Sequence, residues 1–407
     1  MTTSPVEDWA SDFDVLDPSY VSDPFGVWAD LRVRCPIAHT DRRTPTWMPT
    51  RYADVTAIAH DVEHFSSQRV AVIPLQATDG AESGQVGEDG PSLEYGLPPI
   101  SADPPLHTWT RRLILPWFSH RRVAEYTPLT RDICQRLLDT IDGAEEVDAA
   151  VEYAQQIPVR VIAHILGVPL EMSDTFTEWV REVLEFADDE ERRRHGVLSI
   201  IEYLMSELTR RRDHPGDDLI SELLGTEVGG AALEQSVVLG MAVLLLIAGI
   251  DTTWSAIGSS IWHLATHPDD RDRLVREPEL MAVAVEELLR AYSPVTMARM
   301  VTEDIEYAGC PMRAEDKVLM NFPAANRDPE VFEDPDTVHL DREHNRHIAF
   351  GSGIHRCAGS NLARMELQVA LEEWLGRNPK FSLVDGATVT WAGGQVRGPR
   401  ILPLRLG

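Results

Sequence analysis

The sequence predicts a mainly helical fold with minor β-structure, and three observations carry that prediction. From His107 to about Pro294, apolar residues recur at i, i+3 and i+4, as in "VEYAQQIPVRVIAHILGVP", which is the period of an amphipathic helix. The run "SVVLGMAVLLLIAGIDTTWSAIGSSIWHLATHP" is apolar nearly all round, so it belongs in the middle of the fold. Beyond Arg299, "MVTEDIEYAGCPMRAEDKVLMNFPAANRDP" changes to short strand and turn signals.

Taken in order, residues 1–45 are rich in Pro and Asp, with a short helix predicted around Pro24–Val33. About 20 residues at the N-terminus read as flexible. "TWMPTRYADVTAIAHD" reads as a strand followed by a helix. Residues 70–105 hold many Gly, Pro and acidic residues, and a loop that long is either functional or disordered. Within it, residues near 76–100 are expected to form a lid that orders over a ligand. The long central helix comes next, then the short strands, a last helix over Ser360–Arg377 and a tail of strands. The sequence holds no internal repeat and no clean linker, so residues 1–407 read as one domain.

Composition narrows the function. Hydrophobic content of 43% and charged content of 25% are ordinary for a soluble globular protein. The net charge of −29 argues against nucleic acid, whose phosphates need a positive partner. The N-terminal "MTTSPVEDWASDFDV" has no apolar signal-peptide core. The most apolar run, Met241–Gly249, is too short to span a bilayer and meets Asp251 at once, so a cytoplasmic protein without a membrane partner is expected. The four cysteines, Cys35, Cys134, Cys310 and Cys357, form no CxxC pair or metal-finger spacing, and disulfides are not expected in that compartment.

Cys357 stands apart. In "AFGSGIHRCAGSNLARME" it has Gly351, Gly353 and Gly359 around it, and His355 and Arg356 before it. The glycines permit a tight turn close to something flat or bulky. A helix start near Ala358 would favour a thiolate, a good ligand for a soft or borderline metal. The plainer alternative is a buried structural cysteine. In "AGIDTTWS", Asp251, Thr252 and Thr253 interrupt the central helix beside the small Ala248 and Gly249. An acid beside a hydroxyl can pass protons into a dry pocket, or the hydroxyls merely satisfy a local kink. In "EELLR", Glu287 and Arg290 share a helix face and could be no more than a surface ion pair. His107 and Arg111 of "HTWTR", with Arg299 and His355, could hold a dianionic ligand or could be scattered solvated residues.

These pieces occur together and in one order, and there the chain resembles the cytochrome P-450 family of haem-thiolate monooxygenases in its soluble bacterial form. "FGSGIHRCAG" fits that family's cysteine loop, "AGIDTT" its oxygen-binding groove, "EELLR" its Glu-x-x-Arg motif and "NRDPEVFEDP" the meander that follows. The likeness runs from about Asp23 to Leu406.

The resemblance implies a triangular prism of helices around a buried haem b, with small β-sheets. Cys357 would be the axial ligand of the haem iron, shielded by Phe350, with Gly351, Gly353 and Gly359 letting the loop pass under the porphyrin. His107, Arg111, Arg299 and His355 would bind the haem propionates. Asp251 and Thr252 would deliver protons to dioxygen in the groove formed by Ala248 and Gly249. Glu287 and Arg290, with Arg327 as third member, would lock the helix behind the cysteine loop.

The implied reaction inserts one oxygen atom from O2 into a hydrophobic small molecule, by hydroxylation, epoxidation or O-dealkylation. Electrons would pass from NAD(P)H through a separate ferredoxin reductase and ferredoxin. Rival readings are a peroxide-driven peroxygenase and a haem sensor or carrier without turnover, and the intact Asp251–Thr252 pair disfavours both. The substrate pocket would include Leu245, Ile247, Val295, Met297 and Val396. An acidic ferredoxin is expected to dock on a basic face formed from Arg112, Arg121, Arg122, Arg356 and Arg364.

Overall fold

The computed structural model describes residues 4–73 and 96–407. The helices around the site are α1 (Tyr52–His60), α2 (Leu106–Ile114), α3 (His120–Thr140), α4 (Gln156–Leu166), α5 (Ser173–Glu185), α6 (Glu190–Asp213), α7 (Gln235–Thr266), α8 (Met281–Ala291) and α9 (Ser360–Arg377). The strands that brace them are β1 (Ile37–Thr40), β2 (Thr46–Pro49), β3 (Phe65–Ser66), β4 (Glu146–Asp148), β5 (Met297–Val301), β6 (Lys317–Met320), β7 (Phe381–Leu383), β8 (Thr390–Ala392), β9 (Gly398–Ile401) and β10 (Pro403–Leu406).

Helix α7 is the axle. By length and composition it could cross a membrane, yet 72% of its most apolar window is buried inside the protein. A helix apolar on every face needs neighbours on every face. Helices α4, α5, α6, α8 and α9 and strand β9 all pack on it. Its Val238, Leu246, Ile250, Ile257 and Ile261 are fully enclosed, in one core with Tyr153, Ile162, Phe176, Leu204 and Trp374.

A second layer is the five-stranded sheet β1-β2-β6-β5-β3. Strands β2 and β6 pair in parallel, Thr46 opposite Lys317, and the other pairs are antiparallel. Val318, Met320, Phe65 and Val301 pack on Val55 and Ile58 of α1. The three-stranded sheet β7-β10-β4 and the hairpin β8-β9 close the far side.

The expected elements are present, with the central helix over 235–266 and the last helix over Ser360–Arg377. Of the roughly 20 N-terminal residues read as flexible, the structure describes residues 4 onward; Phe13, Val15 and Tyr20 are buried there, and the Trp28 Nε1–H donates to Tyr20 Oη at 2.8 Å. Of the expected lid near 76–100, all but the last few residues lie outside the described residues.

Candidate haem-thiolate site

The cysteine loop is shaped by its glycines. Gly351 and Gly353 take φ of 74° and 70°, a region that favours glycine. A Cβ on Gly353 would run into the Ala59 backbone and the His60 ring at the end of α1. Between them the chain closes on itself, with the Gly351 N–H donating to Ile348 O at 2.9 Å and the Cys357 N–H to Phe350 O at 2.8 Å. α9 begins at Ser360, so Cys357 sits just ahead of the helix rather than in its first turn. Cys357 is exposed overall, yet its thiol is ringed by enough protein that burial pushes it up. The Gly359 N–H and the charges of Arg111, Arg356 and Arg364 pull the other way.

His107, Arg111, Arg299 and His355 arrive from three separate segments and lie together. The His107 and His355 rings are 4.3 Å apart between centroids. His107 Nε2 is 3.1 Å from Ile354 O, and an Arg111 guanidinium N–H donates to Arg356 O. Arg299, from β5, is 5% exposed and among the described residues donates only to its neighbour's carbonyl, Ala298 O, at 2.8 Å. None of the four forms an ion pair among the described residues. His107 Nδ1 and His355 Nε2 are buried without a hydrogen-bond partner among the described residues. Burial, reinforced by the nearby Arg299, His107 and Arg111, pushes His355 down to about 2. Burial likewise pulls Arg299 down to about 10. Asp103 is the acid nearest to them, but its oxygens are taken by the Ser66 hydroxyl and the Ser67 N–H. Such a crowd of donors with no acid in contact among the described residues wants an anion, and two carboxylates such as the haem propionates would satisfy it. The residues present therefore fit haem: a thiol on an open edge, and a dianion cradle beside it.

On α7, Leu245, Ala248 and Thr252 fall at i, i+3 and i+7 and share one face. Ala248 is exposed and Thr252 half-buried, with the Thr252 hydroxyl donating to Ala248 O at 3.0 Å. Asp251 lies on the next face and is 2% exposed. A Cβ on Gly249 would lie 2.8 Å from Ile162 Cγ1, so the glycine lets α4 approach α7 closely there. Gly249 itself is half-buried, beside the exposed Ala248.

Of the pocket candidates, Val295 and Val396 face each other across an isolated antiparallel bridge, and the Gln395 amide reaches Met297 Sδ at 3.7 Å. Leu245 and Val396 are buried, while Ile247, Val295 and Met297 are half-buried.

Glu287 and Arg290 are both fully buried, joined by two hydrogen bonds of 2.7 and 2.8 Å. The third member is not Arg327, which instead pairs with Asp336 at 3.0 Å and caps Ala291 O. It is Arg342, 2.9 Å from Glu287 Oε2, with the Asn345 amide and the His339 N–H completing the set. Two arginines in one meander have equal claims by sequence, and only the chain's path decides which reaches Glu287.

The basic face is also smaller than expected. Arg364 is held by Glu286 at 2.6 Å and lies 4.4 Å from the Phe350 ring. Although burial opposes it, hydrogen bonds from His347 and Arg364 hold Glu286 at about 2. Arg122 pairs with Glu125 and covers Trp117. Arg112, Arg121 and Arg356 remain exposed and form no ion pair among the described residues.

A glycine-turned cysteine loop, an anion cradle and a long helix with a small residue and a hydroxyl on one face define a haem-thiolate protein. Residues 183–383 match the family model described as Cytochrome P450. The chain is 35% identical over 405 residues to the vitamin D(3) 25-hydroxylase of Pseudonocardia autotrophica, covering 97% of this chain and 96% of that protein. It is 36% identical over 366 residues to the mycinamicin IV hydroxylase/epoxidase of Micromonospora griseorubida, covering 88% and 89%. Its fold is similar to CYP109E1 from Bacillus megaterium, solved in complex with testosterone, with a TM-score of 0.86, 30% identity, and coverage of 96% of this chain and 99% of that one. The chain belongs to the cytochrome P450 family, whose members are haem-thiolate monooxygenases using dioxygen.

Proposed function

We propose that this chain, acting as one unit in the cytoplasm, inserts one oxygen atom from O2 into a hydrophobic small molecule. Electrons come from NAD(P)H through a separate ferredoxin reductase and ferredoxin. The observation that carries this reading is Cys357 on an exposed, glycine-turned loop beside four cationic or donor side chains that have no acid partner among the described residues. Cys357 is the residue to hold the haem iron, and His107, Arg111, Arg299 and His355 hold its propionates. When bound, thiolate-ligated haem supplies the reductive activation of dioxygen. Phe350 covers the sulfur side of the loop, pinned by Arg364. Thr252 presents its hydroxyl beside Ala248, and Asp251 stores the proton next to it. That pair favours dioxygen over peroxide, because reduction of dioxygen consumes protons that peroxide already carries.

Leu245, Ile247, Val295, Met297 and Val396 are apolar and suit a hydrophobic substrate, in keeping with the testosterone seen in CYP109E1. NADH consumption and product formation with surrogate redox partners test the reading together. Thr252→Ala is expected to keep consuming NADH while product per NADH falls several-fold and hydrogen peroxide rises. Asp251→Asn is expected to slow turnover by about tenfold or more, since acid–base residues contribute at least that much. Equal coupling in Thr252→Ala and the parent chain would remove the hydroxyl from the relay.

Ferredoxin docking is assigned to the exposed Arg112, Arg121 and Arg356 on the Cys357 side. Reversing Arg112 and Arg121 to Glu is expected to raise the apparent KM for an acidic ferredoxin several-fold and to flatten its salt dependence. Ligand affinity and the haem spectrum should not move. Ferredoxin kinetics unchanged in the reversed variant would place the donor elsewhere.

A further inference from the structure

Met297 carries a nucleophilic sulfur that the reaction proposed above does not use. Side chains alternate along a strand, so on β5 Met297 and Arg299 share one face, and Ala298 and Met300 share the other. The packing agrees. Met297 lies against the apolar cluster of Val301 and Met320, while Ala298 belongs to that of Met48 and Leu319. Met297 is thus on the side of the strand that carries Arg299 to the anion cradle, half-buried and next to the Val295–Val396 bridge. Gln395 meets its sulfur, and the orientation of that amide is fixed. Gln395 Oε1 accepts from the Val72 N–H at 3.3 Å, which leaves Nε2 aimed at Met297 Sδ, 3.7 Å away. The backbone is pinned too, with the Thr296 N–H donating to Gln395 O at 3.0 Å. A thioether is only a weak acceptor for such a donor. A sulfoxide is polar, and its oxygen would accept from the same amide.

Taking the monooxygenase reading of this chain as given, we propose that Met297 is a second oxygen acceptor. In the absence of substrate, Met297 Sδ takes the oxygen atom that a substrate would receive, and Gln395 holds first the thioether and then the sulfoxide. The balance is that of the family's reaction. One S–O bond forms, the O–O bond of dioxygen breaks, and the sulfur is oxidised by two electrons. The second oxygen atom leaves as water, taking up two protons and two electrons from NAD(P)H. The product places a polar group beside Val295 and Val396, so the pocket loses affinity for apolar ligands until a methionine sulfoxide reductase restores the thioether. Met205 supplies an internal control. It too is half-buried, and its Sδ accepts from Gln235 Nε2 at 3.5 Å. Gln235 begins α7, about 20 Å along the helix axis from Ala248. Released hydrogen peroxide would reach both sulfurs, whereas oxygen delivered within the site reaches Met297 alone.

The test turns over the haem-loaded chain without substrate, on NADH, surrogate redox partners, catalase and dioxygen carrying the heavy oxygen isotope. Mass spectrometry of the digested chain then locates the label, and the isotope separates turnover from oxidation during handling. Labelled oxygen should appear at Met297 several-fold above Met205 and Met300. Gln395→Leu should lower it several-fold, and Met297→Leu should remove the labelled peptide. No label at Met297, equal label at Met297 and Met205, or label that catalase abolishes overturns the inference. Label unchanged in Gln395→Leu overturns the holding role of Gln395. NADH-dependent oxygen uptake is read separately: without it the monooxygenase reading itself fails, while uptake with Met297 unlabelled removes only this inference.

Discussion

Glu287→Ala should leave little folded, haem-loaded protein. Glu287 accepts from Arg290, Arg342, the Asn345 amide and the His339 N–H, and is itself fully buried. Removing it strands the fully buried Arg290 guanidinium and takes an acid partner from the half-buried Arg342, and breaking a buried ion pair from one side costs about 3–5 kcal/mol. That is a large share of the roughly 5–15 kcal/mol that holds a domain folded. The loss is also aimed at the site. Arg290 ties the carbonyls of Asn326, Pro335 and Thr337, while Asn326 Oδ1 accepts from the Ile348 N–H at the entrance of the cysteine loop. Loosening Glu287 frees the path that leads to Cys357. Glu287→Gln keeps the shape and two of the hydrogen bonds, so it should fall between the parent and Glu287→Ala in thermal midpoint and in haem content. Arg327→Ala should cost less, since Asp336, its acid partner, is exposed and needs no counter-charge. A Glu287→Ala protein within about 1 kcal/mol of the parent would show that the network is ornamental.

How much of this was legible depended on how local the cause was. The apolar period drew α7 and the bounds of α9, because a helix face repeats within a few residues. The glycines around Cys357 announced a turned loop, because a positive φ is a property of one residue. Partners far apart in sequence left no local mark. Arg400 reaches Asp251 across 149 positions from a short strand without a motif. Arg364 looked like a free surface charge because nothing near it shows that Glu286, 78 positions earlier, faces it across the packed helices. Gly249 beside Ala248 gave no sign that Ile162 of α4 packs so closely against it.

The account turns on Cys357 as the haem ligand, and the reduced carbon monoxide spectrum of the parent and of Cys357→Ala tests it most directly. The parent should bind one haem and show the band from which the family takes its name. The side chain of Cys357 is on an exposed position, so its removal should cost no more than about 1 kcal/mol of stability, and a loss of the band would then reflect the ligand rather than the fold. Cys134 is the natural control. It is fully buried, with its thiol pushed up to about 12 by burial, so Cys134→Ala should keep the band. The account predicts that the band vanishes in folded Cys357→Ala and persists in Cys134→Ala; a band retained in Cys357→Ala would contradict it.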